Sequence, residues 1–302
     1  ALGRLVYTAW VNEQGGFEAD LTVTRLAEAK FMVVVGENSH GHTLMRMKRN
    51  IAEGEVVVIT DMTPAITQIN IHGPKARMLM EKVTNADMSN DAFPFMTCQD
   101  IDVGYWVVKA FRVTFVGELG WELQVPSYGA VQIYDLLKDA GKEFNLRDAG
   151  MQTLNSLRLE KAYRDFGLDV DNTDNPIEAG LGFAVKLDKP GGFIGHYALA
   201  AIKEKGVPST RMLQFLLQDP EPLLYGNELI YLNGKEVGYI QVGGYGHSLG
   251  GAVGIGFAEI DAPLTVVMVN EGNWEVEVAG DRIAATASLK PLYDPAMEKI
   301  KS

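Results

Sequence analysis

The chain has 302 residues, of which 47% are apolar and 22% charged, a composition that predicts a globular protein with a large core built from two or three layers or domains. Its formal net charge of −12 repels a phosphate backbone and argues against nucleic acid as a partner. No apolar run is long enough to span a membrane, and the single cysteine, Cys98, excludes an internal disulfide and a cysteine-based zinc site. These features, and an N-terminus without a signal-peptide pattern, predict an intracellular protein.

The N-terminal region has short apolar runs separated by turn signals, which predict a hairpin-rich antiparallel sheet. The breaks fall at residues 12–16 and 27–30. The first residue is not Met, and the sequence of residues 4–11 is already typical of a strand. We therefore expect this chain to be a piece of a longer protein.

Three later segments have the spacing of amphipathic helices. The first is expected to begin at Pro74, a favoured first-turn residue, and the second to be capped by Ser127. The third is expected within residues 150–163. The apolar positions are Ala76, Leu79, Met80 and Val83 in the first helix, and Ala130, Ile133 and Leu137 in the second.

Strands and helices alternate as far as about residue 205, with hairpins rather than a long βαβ series, so the sequence predicts an α+β fold of antiparallel sheets with packed helices. After Gly206 the pattern changes to short strands, one of them "LTVVMVN", with a hairpin turn at Asn233 and Gly234. The segment "KEKGVPST" resembles a linker. We therefore predict two domains, residues 1–205 and a small all-β barrel at 206–302.

Several apparent motifs are weak. "GGYGHSLGG" has the spacing GxGxxxG and is followed by strand-like sequence, whereas a dinucleotide site needs a helix there. "DVDNTDNP" has Asp174 where a calcium loop requires Gly, so a solvated loop is the better interpretation. The "HGH" motif at residues 40–42 has no nearby third ligand, and we predict no metal site. A Ser-His-Asp triad stays open, but there is no GxSxG nucleophile elbow.

Two glutamates, Glu118 and Glu122, lie in the otherwise strand-like segment "TFVGELGWELQVP" and are expected on one face of that strand. A carboxylate on a rigid strand accepts two parallel hydrogen bonds from a planar N–C–N edge, such as that of a pterin or purine ring. Glu122 suits this role. The alternative is a solvent-facing glutamate on an edge strand.

A second acidic cluster, Glu18 and Asp20, follows the Gly15-Gly16 turn. Glycine lets the backbone approach a ligand closely, so an acid there suits the mouth of a pocket. The alternative is an ordinary turn acid, and these residues alone do not define a function.

Four motifs in order resemble the aminomethyltransferase (glycine-cleavage T-protein) superfamily, and most strongly the folate-binding C-terminal half of sarcosine dehydrogenase and dimethylglycine dehydrogenase. The resemblance covers essentially the whole chain. It implies a T-protein-like folate-binding fold whose N-terminal part is missing here, followed by a C-terminal barrel. The motifs are "YTAWVNEQGGFEADLTVTRL", "FVGELGWELQVP", "AGMQTLNSLRLEKAYRDFGLDVDNTDNPIEAGLGFAVKL" and "FIGHYAL".

The resemblance implies roles for individual residues. Asp20 matches the catalytic acid beside the folate nitrogens where one-carbon transfer occurs, and Glu122 matches the acid that reads the pterin edge. Tyr7 matches an aromatic residue near the folate, and Phe115 stands where several members have tyrosine. Leu154 replaces an arginine of the glycine-cleavage enzymes, which favours the dehydrogenase side. Glu118 has no assigned role and is interpreted as a structural turn acid.

The resemblance implies tetrahydrofolate-dependent capture of the iminium from oxidised sarcosine or dimethylglycine as 5,10-methylenetetrahydrofolate. Tetrahydrofolate is the expected cofactor, FAD is expected only through a domain absent from this chain, and the expected partners are a methylated amine and a flavin-binding domain or subunit. The implied location is the bacterial cytoplasm or the mitochondrial matrix. The alternatives are a free-standing aminomethyltransferase or other folate-dependent demethylase, and a non-catalytic regulatory relative.

Overall fold

The computed structural model describes residues 1–302, and its first layer is a three-stranded antiparallel sheet. Its strands are β1 (Leu5–Val11), β2 (Phe17–Ala27) and β3 (Lys30–Val35), followed by helix α1 (His40–Arg49). The Asn12 side chain closes the β1–β2 turn by accepting hydrogen bonds from the N–H groups of Gln14 and Gly16, at 3.0 and 2.9 Å. Position 16 has no room for a side chain, because a Cβ there would lie 2.1 Å from the Asn172 carbonyl oxygen.

The second layer is a four-stranded antiparallel sheet with the strand order β4-β7-β6-β5. One face of the sheet packs against helices α2 and α3 around the buried Trp121, Leu123 and Ile133, so this face is sealed from solvent. The elements are β4 (Ile66–His72), α2 (Ala76–Val83), β5 (Cys98–Val103), β6 (Trp106–Phe111), β7 (Gly120–Pro126) and α3 (Ala130–Gly141).

The C-terminal part is a closed six-stranded barrel with the order β10-β11-β8-β13-β12-β9. Helix α4 (Met151–Glu160) packs against the barrel, where Gln214 donates hydrogen bonds to the carbonyls of Leu159 and Glu160, at 2.6 and 3.0 Å. The remaining elements are α5 (His196–Glu204), β8 (Thr210–Leu217), β9 (Leu229–Leu232), β10 (Lys235–Gly246), β11 (Gly251–Glu259), α6 (Val266–Glu271), β12 (Trp274–Val278), β13 (Asp281–Ser288) and α7 (Glu298–Lys301).

The α+β class and the C-terminal barrel are confirmed, as is the helix at residues 151–160. The expected starts of the two earlier helices are wrong. Helix α2 begins at Ala76, two residues after Pro74, and α3 begins at Ala130 without a side-chain cap. The Ser127 hydroxyl instead donates a hydrogen bond to the Pro64 carbonyl oxygen at 3.2 Å. The apolar faces of both helices nevertheless point into the core.

Two expected strands differ in the structure. The segment "LTVVMVN" forms the short helix α6, because Thr265 caps its N-terminus by accepting a hydrogen bond from the Met268 N–H at 3.3 Å. Strand β7 begins only at Gly120, so Glu118 lies in the preceding turn and does not share a strand face with Glu122. None of the helices has the length and the apolar character that a membrane-spanning helix requires.

Glu118 ties the C-terminus of the chain to this turn. Its carboxylate accepts a hydrogen bond from the Tyr293 hydroxyl at 2.5 Å, and Lys299 of α7 donates to the same hydroxyl at 2.6 Å. Beneath them Lys161, almost fully buried, donates to the carbonyl oxygen of Asp294 at 2.6 Å. These contacts agree with a structural role for Glu118.

Candidate functional site

Asp20 and Tyr7 form a pair at the centre of the β1–β2 hairpin. Ala9 is the cross-strand partner of Asp20, which places Tyr7 diagonally across from it, and the Tyr7 hydroxyl donates to an Asp20 carboxylate oxygen at 3.4 Å. Burial, and after it the negative charge of Asp165, raises the pKa of Asp20 to about 6, although the Phe166 N–H acts in the opposite direction. Burial also raises the pKa of Tyr7, so its hydroxyl stays protonated. Asp20 thus has the basicity of a proton acceptor that works near neutral pH.

Glu122 lies on β7, an interior strand paired with Asn70 of β4 on one side and with Phe111 of β6 on the other. The alternative of a glutamate on an edge strand is therefore wrong. Burial raises the pKa of its carboxyl group to about 7. Its one hydrogen-bond partner in the protein is the exposed side-chain amide of Gln68, at 3.3 Å. The carboxyl group is thus partly shielded from water and retains unused acceptor capacity.

The Phe115 ring lies in the segment between β6 and β7 and stacks on Tyr163, with the ring centroids 6.1 Å apart and an interplanar angle of 13°. Burial raises the pKa of the Tyr163 hydroxyl to about 12. Tyr163 is the first residue of a segment, residues 163–170, that follows α4. A phenolic hydroxyl is therefore present beside Phe115, although it comes from a different part of the chain.

The segment of residues 163–170, called here the 163–170 loop, is fixed by a buried ion pair. The Arg158 guanidinium binds both carboxylate oxygens of Asp169, and it also donates to the Tyr163 carbonyl oxygen at 3.0 Å. Asp169 in turn accepts a hydrogen bond from the Asp165 N–H at 2.9 Å. At its start the loop contacts Phe115, and at Asp165 and Phe166 it reaches Asp20.

The four residues with expected roles do not all meet. The structure brings Tyr7 together with Asp20, and the 163–170 loop connects this pair to Phe115. No hydrogen bond joins Glu122 to the pair; its cross-strand neighbour Phe111 packs in a small apolar cluster with Leu5 of β1. Glu122 therefore lies where the four-stranded sheet abuts the sheet that carries Asp20.

A groove of about 860 Å³ follows β1 and is lined mainly by apolar side chains. Of the four expected residues only Tyr7 lines it, where its ring stacks on Phe183 at a centroid distance of 6.3 Å. Its charged lining residues are the cations Arg4, Arg46, Lys186 and Lys189 and one acid, Glu55. The groove is thus locally cationic in a chain of net charge −12, which suits an anionic molecule that extends away from Tyr7.

The neighbouring acid Glu18 is already paired. It accepts a hydrogen bond from His42 at 2.6 Å and lies 3.4 Å from the Arg46 guanidinium. The "HGH" motif thus lies at the start of α1 with His42 bound to this carboxylate. Across the whole structure, no three residues among His, Cys, Asp and Glu are placed to hold a metal ion.

Sequence reasoning gave no role to Tyr163, Asp165 or the Arg158–Asp169 pair, although all four lie within the motif "SLRLEKAYRDFGLD". The signal that could have pointed to these residues is the density of charge next to apolar positions in this segment. Which of these charges are buried depends on the packing of α4 against the barrel, and the sequence does not show it.

Family comparisons agree with this arrangement. The family described as GCVT N-terminal domain matches residues 1–189, and the glycine cleavage T-protein C-terminal barrel domain matches residues 211–294. The chain belongs to the glycine-cleavage T-protein family. The crystal structure of the glycine cleavage system aminomethyltransferase T from Bartonella henselae superimposes with a TM-score of 0.81 at 24% identity, covering 98% of this chain and 77% of that chain, which shows the shared fold.

The relatives of this T-protein family member include longer proteins. It is 38% identical over 99% of its length to 4-methylaminobutanoate oxidase (formaldehyde-forming) of Paenarthrobacter nicotinovorans, and 31% identical over 99% of its length to human mitochondrial sarcosine dehydrogenase. It is also 30% identical over 96% of its length to the mouse mitochondrial pyruvate dehydrogenase phosphatase regulatory subunit. The chain spans about a third of each relative: 35%, 34% and 34% of their respective lengths.

Proposed function

We propose that this chain performs tetrahydrofolate-dependent one-carbon transfer in an enzyme that demethylates an N-methylated amine such as sarcosine or dimethylglycine. It would capture the iminium produced by oxidation as 5,10-methylenetetrahydrofolate. The observation that carries the proposal is the Asp20–Tyr7 pair, because burial gives Asp20 the basicity that proton transfer near neutral pH requires. Relatives named as a formaldehyde-forming oxidase and as sarcosine dehydrogenase support an N-methylated substrate.

In this proposal Asp20 has two tasks. Its carboxylate stabilises the positive charge of the iminium, and it accepts the proton that the attacking nitrogen loses. Tetrahydrofolate, when bound, supplies the nucleophilic nitrogens that take up the one-carbon unit. The protonated Tyr7 hydroxyl holds the Asp20 carboxylate in place. The half-buried position of Asp20 also limits access of water, which would otherwise hydrolyse an iminium to formaldehyde.

Glu122 fits the pterin end of tetrahydrofolate. A buried carboxyl group with spare acceptor capacity is costly by itself, and a ligand edge with two adjacent N–H donors removes that cost. Phe115 and Tyr163 offer stacked aromatic surface at the start of the loop that reaches Asp20. The cationic groove beside Tyr7 would suit the anionic end of the same molecule.

Amine oxidation belongs, in this proposal, to a flavin-binding domain or subunit outside the chain. The sequence has no dinucleotide fingerprint, and the relatives named as oxidase and dehydrogenase are about three times as long as this chain. The boundary between the folate-binding domain, residues 1–205, and the barrel domain, 206–302, is part of the same proposal.

Calorimetric titration of the intact protein with 5-formyltetrahydrofolate tests the pterin-reading role of Glu122. Glu122→Gln should weaken binding by about 1.5 to 3 kcal/mol, the usual range for a charge-assisted hydrogen bond. Glu118→Gln is the matched control. The Glu118 carboxylate is bonded to Tyr293, so this substitution should leave the affinity for 5-formyltetrahydrofolate unchanged. Equal affinities of the wild type and Glu122→Gln would rule out the proposed role.

A second candidate is a non-catalytic regulatory role, favoured by the relative named as a phosphatase regulatory subunit. Such a protein would not need an Asp20 and a Glu122 whose pKa values are raised by burial, and this chain has both. The same titration separates the two candidates, because a purely regulatory protein that has lost the site would give no heat of binding with 5-formyltetrahydrofolate.

A further inference from the structure

The 163–170 loop brings a second acid, Asp165, to the Asp20–Tyr7 pair. Leu21 pairs with Val35, so the turn that begins at Gly36 lies beside Asp20 near the start of β2. Asn38 in this turn donates a hydrogen bond to the Phe166 carbonyl oxygen at 3.1 Å. The loop residue next to Asp165 is thereby held against the strand end that carries Asp20.

Asp165 has no counterion of its own. Its carboxylate makes no ion pair and no hydrogen bond, and its N–H is the group that binds Asp169 at 2.9 Å. The nearest arginine of α4, Arg158, is engaged with Asp169. Burial raises the pKa of Asp165, although Arg158 moderates the effect. A half-buried carboxylate that no cation neutralises acts electrostatically on its neighbours.

The other acids and phenols around Asp20 are paired or neutral, and the one arginine of the loop is bonded to carbonyl oxygens. On β2, Glu18 is bound to His42 and Arg46. On β1, Tyr7 is a neutral phenol that donates to Asp20. In the loop, Arg164 donates to the carbonyl oxygens of Ala162 and Ala179, the latter at 2.9 Å, and its positive charge acts on Tyr7. Asp165 is therefore the unpaired acid that faces Asp20.

We propose that Asp165 is a tuning residue of the one-carbon transfer centre, whose negative charge strengthens Asp20 as the acceptor of the proton that the attacking nitrogen loses. This inference rests on the proposed function. The N–H bond of the nitrogen breaks, its electron pair stays on nitrogen, and the proton passes to an Asp20 oxygen. Asp165 does not touch the substrate and exchanges no proton with it. A negative charge disfavours ionisation of a neighbouring acid. With Asp165 beside it, Asp20 therefore keeps its proton up to a higher pH than it would without Asp165.

The test is an infrared pH titration of the intact, folate-free enzyme, which follows the protonated-carboxyl band that disappears in Asp20→Asn. In Asp165→Asn the midpoint should fall by about one pH unit, the order of effect of a close like charge. Asp165→Glu, which keeps the charge, should retain the wild-type midpoint. The loop stays anchored in both variants because residue 165 binds Asp169 through its backbone. Glu18→Gln is the control, since the charge of Glu18 is already paired.

The acidic limb of the pH profile for methylenetetrahydrofolate formation should move in the same direction by the same amount in Asp165→Asn. A merely structural role for Asp165 would lower the rate without moving the limb. An unchanged infrared midpoint in Asp165→Asn, or an equal fall in Glu18→Gln, overturns the tuning role. If the wild type forms no methylenetetrahydrofolate, the proposed function fails, whereas the infrared midpoint still decides whether Asp165 acts on Asp20.

Discussion

Replacing Glu122 by glutamine should make the folate-free protein more stable at neutral and higher pH, even though it damages the proposed ligand site. The folded protein holds the pKa of Glu122 at about 7 against an ordinary value of 4.5, because the carboxyl group is buried. Between these values the unfolded chain has lost the proton and the folded chain retains it, so the stability of the wild type falls as pH rises. Above pH 7 this difference in pKa between the folded and unfolded states lowers the free energy of unfolding of the wild type by about 3 kcal/mol.

The measurement is denaturant unfolding of the wild type and Glu122→Gln at several pH values between about 4.5 and 8. The contribution of Asp20, whose pKa is also raised by burial, is common to both proteins and cancels in the difference. We expect the variant to gain about 3 kcal/mol relative to the wild type across this range. Parallel stability curves would show that Glu122 is well solvated, which would also remove the physical basis for its role as a pterin acceptor.

Three further substitutions test the surroundings of the site. Tyr7→Phe removes a hydrogen bond that lowers the pKa of Asp20, so the infrared midpoint of Asp20 should rise, opposite to the effect of Asp165→Asn; a fall would contradict the assigned geometry. Arg158→Met leaves Asp169 as an uncompensated buried charge and should cost about 3 to 5 kcal/mol in denaturant unfolding, and a loss below about 1 kcal/mol would show that the loop is not anchored by this pair. Tyr293→Phe should cost about 1 kcal/mol in the same assay and leave 5-formyltetrahydrofolate affinity unchanged, whereas a loss of affinity would place the Glu118 network in the site.

The layers of the fold were predictable from local patterns. Apolar positions at helical spacing, such as Leu79 and Ile133, mark the buried faces of α2 and α3, and alternation with turn signals marks the barrel strands. Helix ends were less predictable, because the Ser127 hydroxyl binds the Pro64 carbonyl oxygen and not the N-terminus of its own helix. The segment "LTVVMVN" is rich in β-branched residues, yet its cap at Thr265 makes it a helix.

The acids of the site illustrate the limit of sequence reasoning. The residue types of Asp20 and Glu122 suit their proposed roles, but their raised pKa values arise from burial between elements that are far apart in sequence. The charge of Asp165 is uncompensated because Arg158 forms its ion pair with Asp169 and not with Asp165. Sequence spacing alone does not show which acid binds Arg158, because Asp165 and Asp169 both follow it within 11 residues.

The most direct test of the central claim is the ratio of formaldehyde to methylenetetrahydrofolate produced by the intact enzyme with a saturating level of tetrahydrofolate. Asp20→Asn keeps the size of the side chain but removes its charge and its capacity to accept the proton, so capture should slow by about 10² to 10⁴. Hydrolysis of the iminium in water continues, and the ratio should shift strongly towards formaldehyde while amine oxidation and folate binding are retained. An unchanged ratio would contradict the account and leave Asp20 as a structural residue of β2.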